Sequence, residues 1–257
     1  MAEKKIKKAR PVEQSPFSRS PVTIIIPFHG QYDKVGRLLK SIWTGTRSNP
    51  YEICLVDDSS PNSDFIEKMI DQPQVVPFRT PERLGFGGAL KFGFERTTQP
   101  WVCFLNSDCT IEDSGWLIEM GRSLMRLRGQ GVQMVSARSN NPGSFVNSML
   151  KAEKSDKRMI EDFILEDGHL PLYCALCHRD LFEHIGGFIK EYPYGWYEDE
   201  ELAYRMSHYG FSQAICSKSW VRHEGAATIK ALFKENPEAK EIMASNRDRC
   251  IADISLL

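Results

Sequence analysis

Neither sign of charge is in excess: 33 Lys and Arg stand against 34 Asp and Glu, a net charge of -1. A chain devoted to nucleic acid carries a basic surplus, so no nucleic-acid partner is expected. No apolar run approaches the roughly 20 residues that cross a bilayer. Met1 to Arg10 is basic, yet no apolar segment follows it, so it does not read as a secretory signal. These absences predict a cytoplasmic protein. Its only expected membrane association is peripheral, at an inner face, through the basic N-terminus. A disulfide framework is lacking too, because seven irregularly spaced cysteines read as reduced thiols. Cys174-Ala-Leu-Cys177-His178 matches a haem-attachment pattern. In an apolar, strand-like run, however, a separation of three puts the two sulfurs on opposite faces. No second Cys pair has zinc spacing, so a metal or haem role there is not expected.

What is present alternates. Residues 1–20 hold Lys4, Lys5, Lys7, Lys8 and Arg10 with little to bury, and are expected to form a flexible tail. Val22-Thr-Ile-Ile-Ile-Pro27 is a β-branched run of the kind buried on both faces of a parallel sheet. Further strands are expected at 51–56, 75–78, 101–105, 132–137 and 172–177. Helical spacing lies between them, at 38–43, 87–97, 116–127, 179–185 and 199–209. This rhythm predicts an α/β fold: a single domain with a mostly parallel, doubly wound central sheet and flanking helices. Ser139 to Gly168 is polar and interrupts it, as expected of a long excursion beside a site. Residues 231–257 form a C-terminal helical segment.

Ligands of an open parallel sheet bind beyond the carboxyl ends of its strands. Three strands end there in Pro27-Phe28-His29, Asp57-Asp58 and Asn106-Ser107-Asp108. Each alone is compatible with turn chemistry; together they mark one edge. Carboxylates facing a diphosphate need a bridging cation, Mn²⁺ or Mg²⁺, and Asp108 is its natural ligand, with Asn106 supplying a neutral oxygen. Leu84-Gly-Phe-Gly-Gly-Ala89 lacks the Gly-Lys-Ser/Thr of a Walker loop, so phosphate approach and close packing both remain open for Gly85 and Gly87. In Trp196-Tyr-Glu-Asp-Glu-Glu-Leu202, helical spacing puts Asp199 on the face of Leu202, Ala203 and Met206. Glu200 and Glu201 align instead with the more polar Tyr204, Arg205 and His208. Asp199 is thus the inward carboxylate, either a general base or a helix cap. His223 reads as a structural histidine unless the fold returns it to Asp108.

The order of these motifs resembles family 2 glycosyltransferases of the GT-A fold, over about Val22 to Thr228. The resemblance implies a nucleotide-sugar-binding half, 21–138, and an acceptor-binding, catalytic half, 139–230. It assigns Asp57 to the nucleotide base, with Pro27 and His29 lining its pocket. Asp58, Arg83, Gly85, Gly87, Asn106 and Ser107 belong to the same donor site. Asp108 and His223 would hold the metal. Ile185-Gly-Gly-Phe188 and Glu198-Asp199 match the acceptor side, with Asp199 as base and Tyr194, Trp196 and Glu198 as acceptor contacts. Two positions depart from the pattern. Asn106 replaces the first Asp of Asp-x-Asp, and Leu90-Lys91 replaces a polar pair, leaving Arg83 or Lys91 to substitute. The implied reaction is inverting transfer from a nucleotide-diphosphate sugar, a UDP-sugar before others, to a glycan or lipid-linked saccharide. A nucleotidyltransferase would want a basic, Gly-rich loop after the first strand, where Phe28-His-Gly-Gln-Tyr32 stands. A non-catalytic binding module would not need Asp108, Asp199 and His223 together.

Overall fold

The β-branched run forms the centre of the sheet. All seven residues of β1 (Val22–Phe28) are buried, with Val22, Ile24 and Ile26 in one apolar cluster and Ile25 in the other. Burial of each such side chain is worth about 1.5–3 kcal/mol, which ties the strand to helices on both faces. In this computed structural model, residues 17–46, 50–142, 161–165, 168–225, 232–234 and 236–257 are described. Most of the N-terminal tail, and 143–160 of the polar excursion, lie outside them.

β1 pairs in parallel with β2 (Tyr51–Asp57) and β4 (Trp101–Leu105), and β2 with β3 (Val75–Arg79). Helices α1 (Tyr32–Gly45), α2 (Asp64–Glu67) and α3 (Gly85–Phe94) connect them. α1 buries Val35, Leu38, Leu39 and Ile42, the three-and-four spacing of an amphipathic helix. After β5 (Cys109–Thr110) and α4 (Trp116–Leu127) come β6 (Val132–Ser139), β7 (Phe163–Ile164) and β8 (Cys174–His178). The chain continues with α5 (Asp180–His184), α6 (Glu198–His208), β9 (Ser212–His223) and α7 (Ala239–Ser255). The sheet order is β3-β2-β1-β4-β8-β6-β9-β5, with β7 on β9.

The sheet is parallel through β3-β2-β1-β4 and again at β6-β9, but β8 runs antiparallel between β4 and β6. A parallel return needs a crossover, and no helix separates β6 from β8 among the described residues. β9 is twelve residues long, where only a short apolar stretch before His223 was legible. Ser217-Lys-Ser219 interrupts its alternation, and its register against β6 shifts between Ala137 and Arg138. On β8, Cys174 and Cys177 fall in different clusters on opposite faces, and all seven cysteines are free and buried. No helix among the described residues is long and apolar enough to cross a membrane.

Candidate active site

Strand ends β1, β2, β4 and β9 open onto one cavity of about 730 Å³. Pro27 and His29 line it from β1, Asp58 from β2, Asn106, Ser107 and Asp108 from β4, and His223 from β9. The opposite side carries Arg83, Gly85, Tyr194, Trp196, Glu198 and Asp199. Asp57 and Gly87 do not reach the cavity wall.

The turn after β4 closes through Cys109 N–H to the Asn106 carbonyl at 3.1 Å. β5 pairs with β9 so that Cys109 lies opposite His223. This pairing returns the late histidine to Asp108, with His223 Nε2 3.1 Å from Asp108 Oδ1. His223 Nδ1 lies 2.6 Å from the Asn141 carbonyl, which only accepts, so Nδ1 carries the proton and donates. Nε2 is thereby left to act as acceptor or ligand. The ring also stacks on Tyr173 at 5.1 Å, and Asn140 bonds both backbone groups of His223. Burial would raise the Asp108 carboxyl; when the His223 ring is protonated, its Nε2–H donates to Asp108, and that hydrogen bond and charge, then Lys34, outweigh burial and hold the carboxyl low.

These residues fit a divalent cation. Ligand atoms of Asp108, Cys109 and His223 lie within 4.8 Å of one another. Asn106 Oδ1 is buried without a hydrogen-bond partner beside them, as an unused oxygen ligand would be. Cys109 was not foreseen; its thiol donates to the Tyr173 carbonyl at 3.5 Å, and burial holds it well above the ordinary thiol range.

Asp57 and Asp58 have different surroundings. Asp57 is fully buried, paired with Arg79 and accepting from Ser60 N–H at 2.8 Å. It braces the β2 and β3 ends. Asp58 accepts from Leu84 N–H at 2.7 Å, Gly85 N–H at 2.9 Å and Thr80 Oγ1 at 3.1 Å, anchoring the start of α3. Burial raises its carboxyl despite these bonds. The glycine segment is closely packed: a Cβ on Gly87 would lie 2.8 Å from the Lys190 carbonyl. Gly85, at φ +77°, has the Tyr194 backbone 3.1 Å from a would-be Cβ. Lys91 pairs with Glu191 at 2.5 Å, whereas Arg83 reaches the cavity with its guanidinium 5.8 Å from the Tyr194 ring centre.

On the other wall, Leu202 and Met206 of α6 are fully buried. Asp199 opens from that side into the cavity, 25% exposed, with His169 Nε2 3.8 Å from its Oδ2. Burial raises its carboxyl, and His169 partly opposes the rise. Glu198 is buried with Oε2 unpartnered. Burial first, then the neighbouring Asp199 charge, push it up to about 8. His169 was not foreseen, since it lies just past the polar excursion, far from α6 in sequence.

Glu201 and Arg205 correct the helical-face reading. Their side chains are 1% and 5% exposed, joined by Nε to Oε1 at 2.8 Å and Nη2 to Oε2 at 3.0 Å. Arg205 also donates to the carbonyls of Gly187 at 2.6 Å and Phe188 at 2.9 Å. The spacing had aligned them correctly, but the 185–188 turn covers that face.

The model of the family described as "Glycosyl transferase family 2" matches residues 23–186. O-antigen biosynthesis protein RfbC of Myxococcus xanthus is 23% identical over 227 residues, covering 82% of this chain and 18% of that protein. Crystallised S. aureus TarS 1-349 with UDP-GlcNAc superposes with TM-score 0.59 at 14% identity, covering 82% of this chain and 60% of that one. Mannosyltransferase PcManGT from Pyrobaculum calidifontis, with GDP-Man and Mn²⁺, gives 0.60 at 15% identity, covering 97% and 77%. The chain thus spans under a fifth of the curated relative, and its fold is the GT-A fold of these structures. With the family match extending over most of the chain, the protein belongs to glycosyl transferase family 2.

Proposed function

We propose that the protein transfers a sugar, with inversion, from a nucleotide-diphosphate donor to an acceptor hydroxyl, with Asp199 as general base. The observation that carries this reading is the single cavity lined by both Asp108–His223 and Glu198–Asp199. The acceptor oxygen attacks the anomeric carbon, the bond to the diphosphate breaks, and the hydroxyl proton passes to Asp199. A divalent cation, held by Asp108 and His223 with Asn106 in reach, would offset the charge that develops on the leaving diphosphate. Glu198 is held neutral by burial, so it offers a proton to a hydrogen bond and does not compete as base. Tyr194 and Trp196 give aromatic faces to the acceptor.

UDP-sugars are the first donors proposed, and a GDP-sugar the next, since the structural relatives were crystallised with UDP-GlcNAc and GDP-Man. The acceptor proposed is a glycan or lipid-linked saccharide, met in the cytoplasm, with the basic tail as a peripheral membrane contact. The loop after β1, Phe28-His-Gly-Gln-Tyr32, carries no positive charge before Lys34 to hold a triphosphate, which argues against a nucleotidyltransferase.

The test is nucleoside-diphosphate release from a panel of UDP- and GDP-sugars, with glycan and lipid-linked acceptors. Release is expected with Mn²⁺ and should fall at least about a hundredfold with EDTA. Release indifferent to EDTA would remove the cation, and no release from any donor would remove the transferase reading.

A further inference from the structure

The backbone leading into α6 follows a path that L-residues avoid. Tyr194, Gly195, Trp196 and Tyr197 have φ of 63°, 101°, 75° and 73° in succession. Three of the four are aromatic, so neither glycine freedom nor an Asn side chain accounts for the run. Something outside the segment must hold it.

That support comes from α7, which lies beyond residue 186, where the family match ends. Asn246 of α7 is fully buried. Its side-chain amide donates one proton to the Pro193 carbonyl at 2.9 Å and the other to the Gly195 carbonyl at 2.7 Å. Its own Oδ1 is buried with no partner. A buried orphan acceptor is costly, so the donor end is what the position uses. Asparagine suits this because one nitrogen supplies two donors to two converging carbonyls. Contacts from the same C-terminal stretch flank it. Asn236 donates to Tyr194 Oη at 2.9 Å, and Tyr192 Oη donates to Asp253 at 2.9 Å.

We propose that Asn246 is a positioning residue. It holds residues 194–197 in their left-handed path, and so fixes Trp196 and the start of α6, with Asp199, at the cavity. The backbone role stands on the geometry alone; its consequence for acceptor transfer rests on the transferase reading above.

The full-length chain with Mn²⁺ carries the test, through Asn246→Leu, Asn246→Ser and Asn246→Gln. Leucine removes both donors at similar volume, serine keeps one, and glutamine keeps the amide one methylene further out. Amide hydrogen exchange over 194–198 is expected to accelerate at least about tenfold in the Leu variant and less in the Ser variant, with β1 and β4 unchanged. Acceptor transfer should lose about tenfold in kcat at constant donor KM, with partial recovery in the Gln variant. Unchanged exchange over 194–198 in the Leu variant overturns the proposal. If that variant does not fold, unchanged exchange in the Ser variant overturns it equally. Accelerated exchange in a protein that transfers no sugar would sink the transferase reading and leave the backbone role standing.

Discussion

The two walls of the cavity are built by opposite means. On the sheet side, Pro27, His29, Asp58, Asn106, Asp108 and His223 all have negative φ, and strand register sets their spacing. Their polar atoms are largely engaged: His223 by Asn141, Asp58 by the start of α3, Asp108 by His223 and the Gly225 N–H. On the helix side, consecutive residues have positive φ; a buried unpaired oxygen occurs on each wall, Glu198 Oε2 here and Asn106 Oδ1 on the sheet side. A sheet positions groups through many cooperative backbone bonds, so its wall is stiff without special residues. The helix wall depends on a few side chains from elsewhere, so its reactive groups are strained and desolvated. The consecutive left-handed residues lie where proton transfer is proposed, whereas burial raises carboxyls on both walls, Asp58 on one and Glu198 and Asp199 on the other.

The sharpest way to break this division of labour is Asp199→Asn. If the helix wall carries the proton transfer, the variant loses about 10³-fold or more in acceptor transfer while metal and donor binding persist. Titration calorimetry with Mn²⁺ and the nucleotide diphosphate, beside the transfer assay, separates the two. Near-normal turnover would mean that the reacting hydroxyl meets its base elsewhere. Next in size is Arg205→Ala, which acts on the foundation of the same wall. It leaves Glu201 buried and unpaired and frees the Gly187 and Phe188 carbonyls, a loss of about 3–5 kcal/mol in denaturant unfolding. A change under about 1 kcal/mol would show that the 185–188 turn is held by packing alone.

The same division explains what was legible in the sequence. The sheet wall was readable because a β-branched run followed by polar residues is a local pattern, and strand ends of a parallel sheet converge by topology. Even there, Asp57 and Asp58 could not be told apart from the sequence. Arg79, which occupies Asp57, comes from a neighbouring strand whose register only the fold reveals. The helix wall was readable in part. Helical periodicity grouped Glu201 with Arg205 correctly, but the most buried carboxylates of α6 are Glu198 and Glu201, while Asp199 opens into the cavity at 25% exposure. It failed on the exposure of the Glu201–Arg205 pair, since a polar stripe reads as solvated unless the covering turn is known. Asn246 gave no local signal at all. A lone asparagine inside the polar pattern of a C-terminal helix is ordinary until the carbonyls it meets are in place.

Glu198 offers the smallest and most selective probe of the helix wall. Its carboxyl is raised from 4.5 to about 8 in the folded protein, by burial first and Asp199 second. Between those values the folded state keeps a proton that the unfolded state has released. The contribution of Glu198 to the unfolding free energy therefore falls as pH rises from about 4.5 to 8 and is constant outside that window. Glu198→Gln cannot ionise, so its midpoint temperature should match the native protein near pH 5 and exceed it by several degrees near pH 8. Asp199→Asn removes the second cause, so it should shorten the window from its upper end without abolishing it. Thermal unfolding from pH 4 to 9, in EDTA to keep metal binding out of the slope, reads all three proteins. Parallel curves for native and Glu198→Gln protein would mean that Glu198 is hydrated. Backbone strain alone would then set the helix wall apart from the sheet wall.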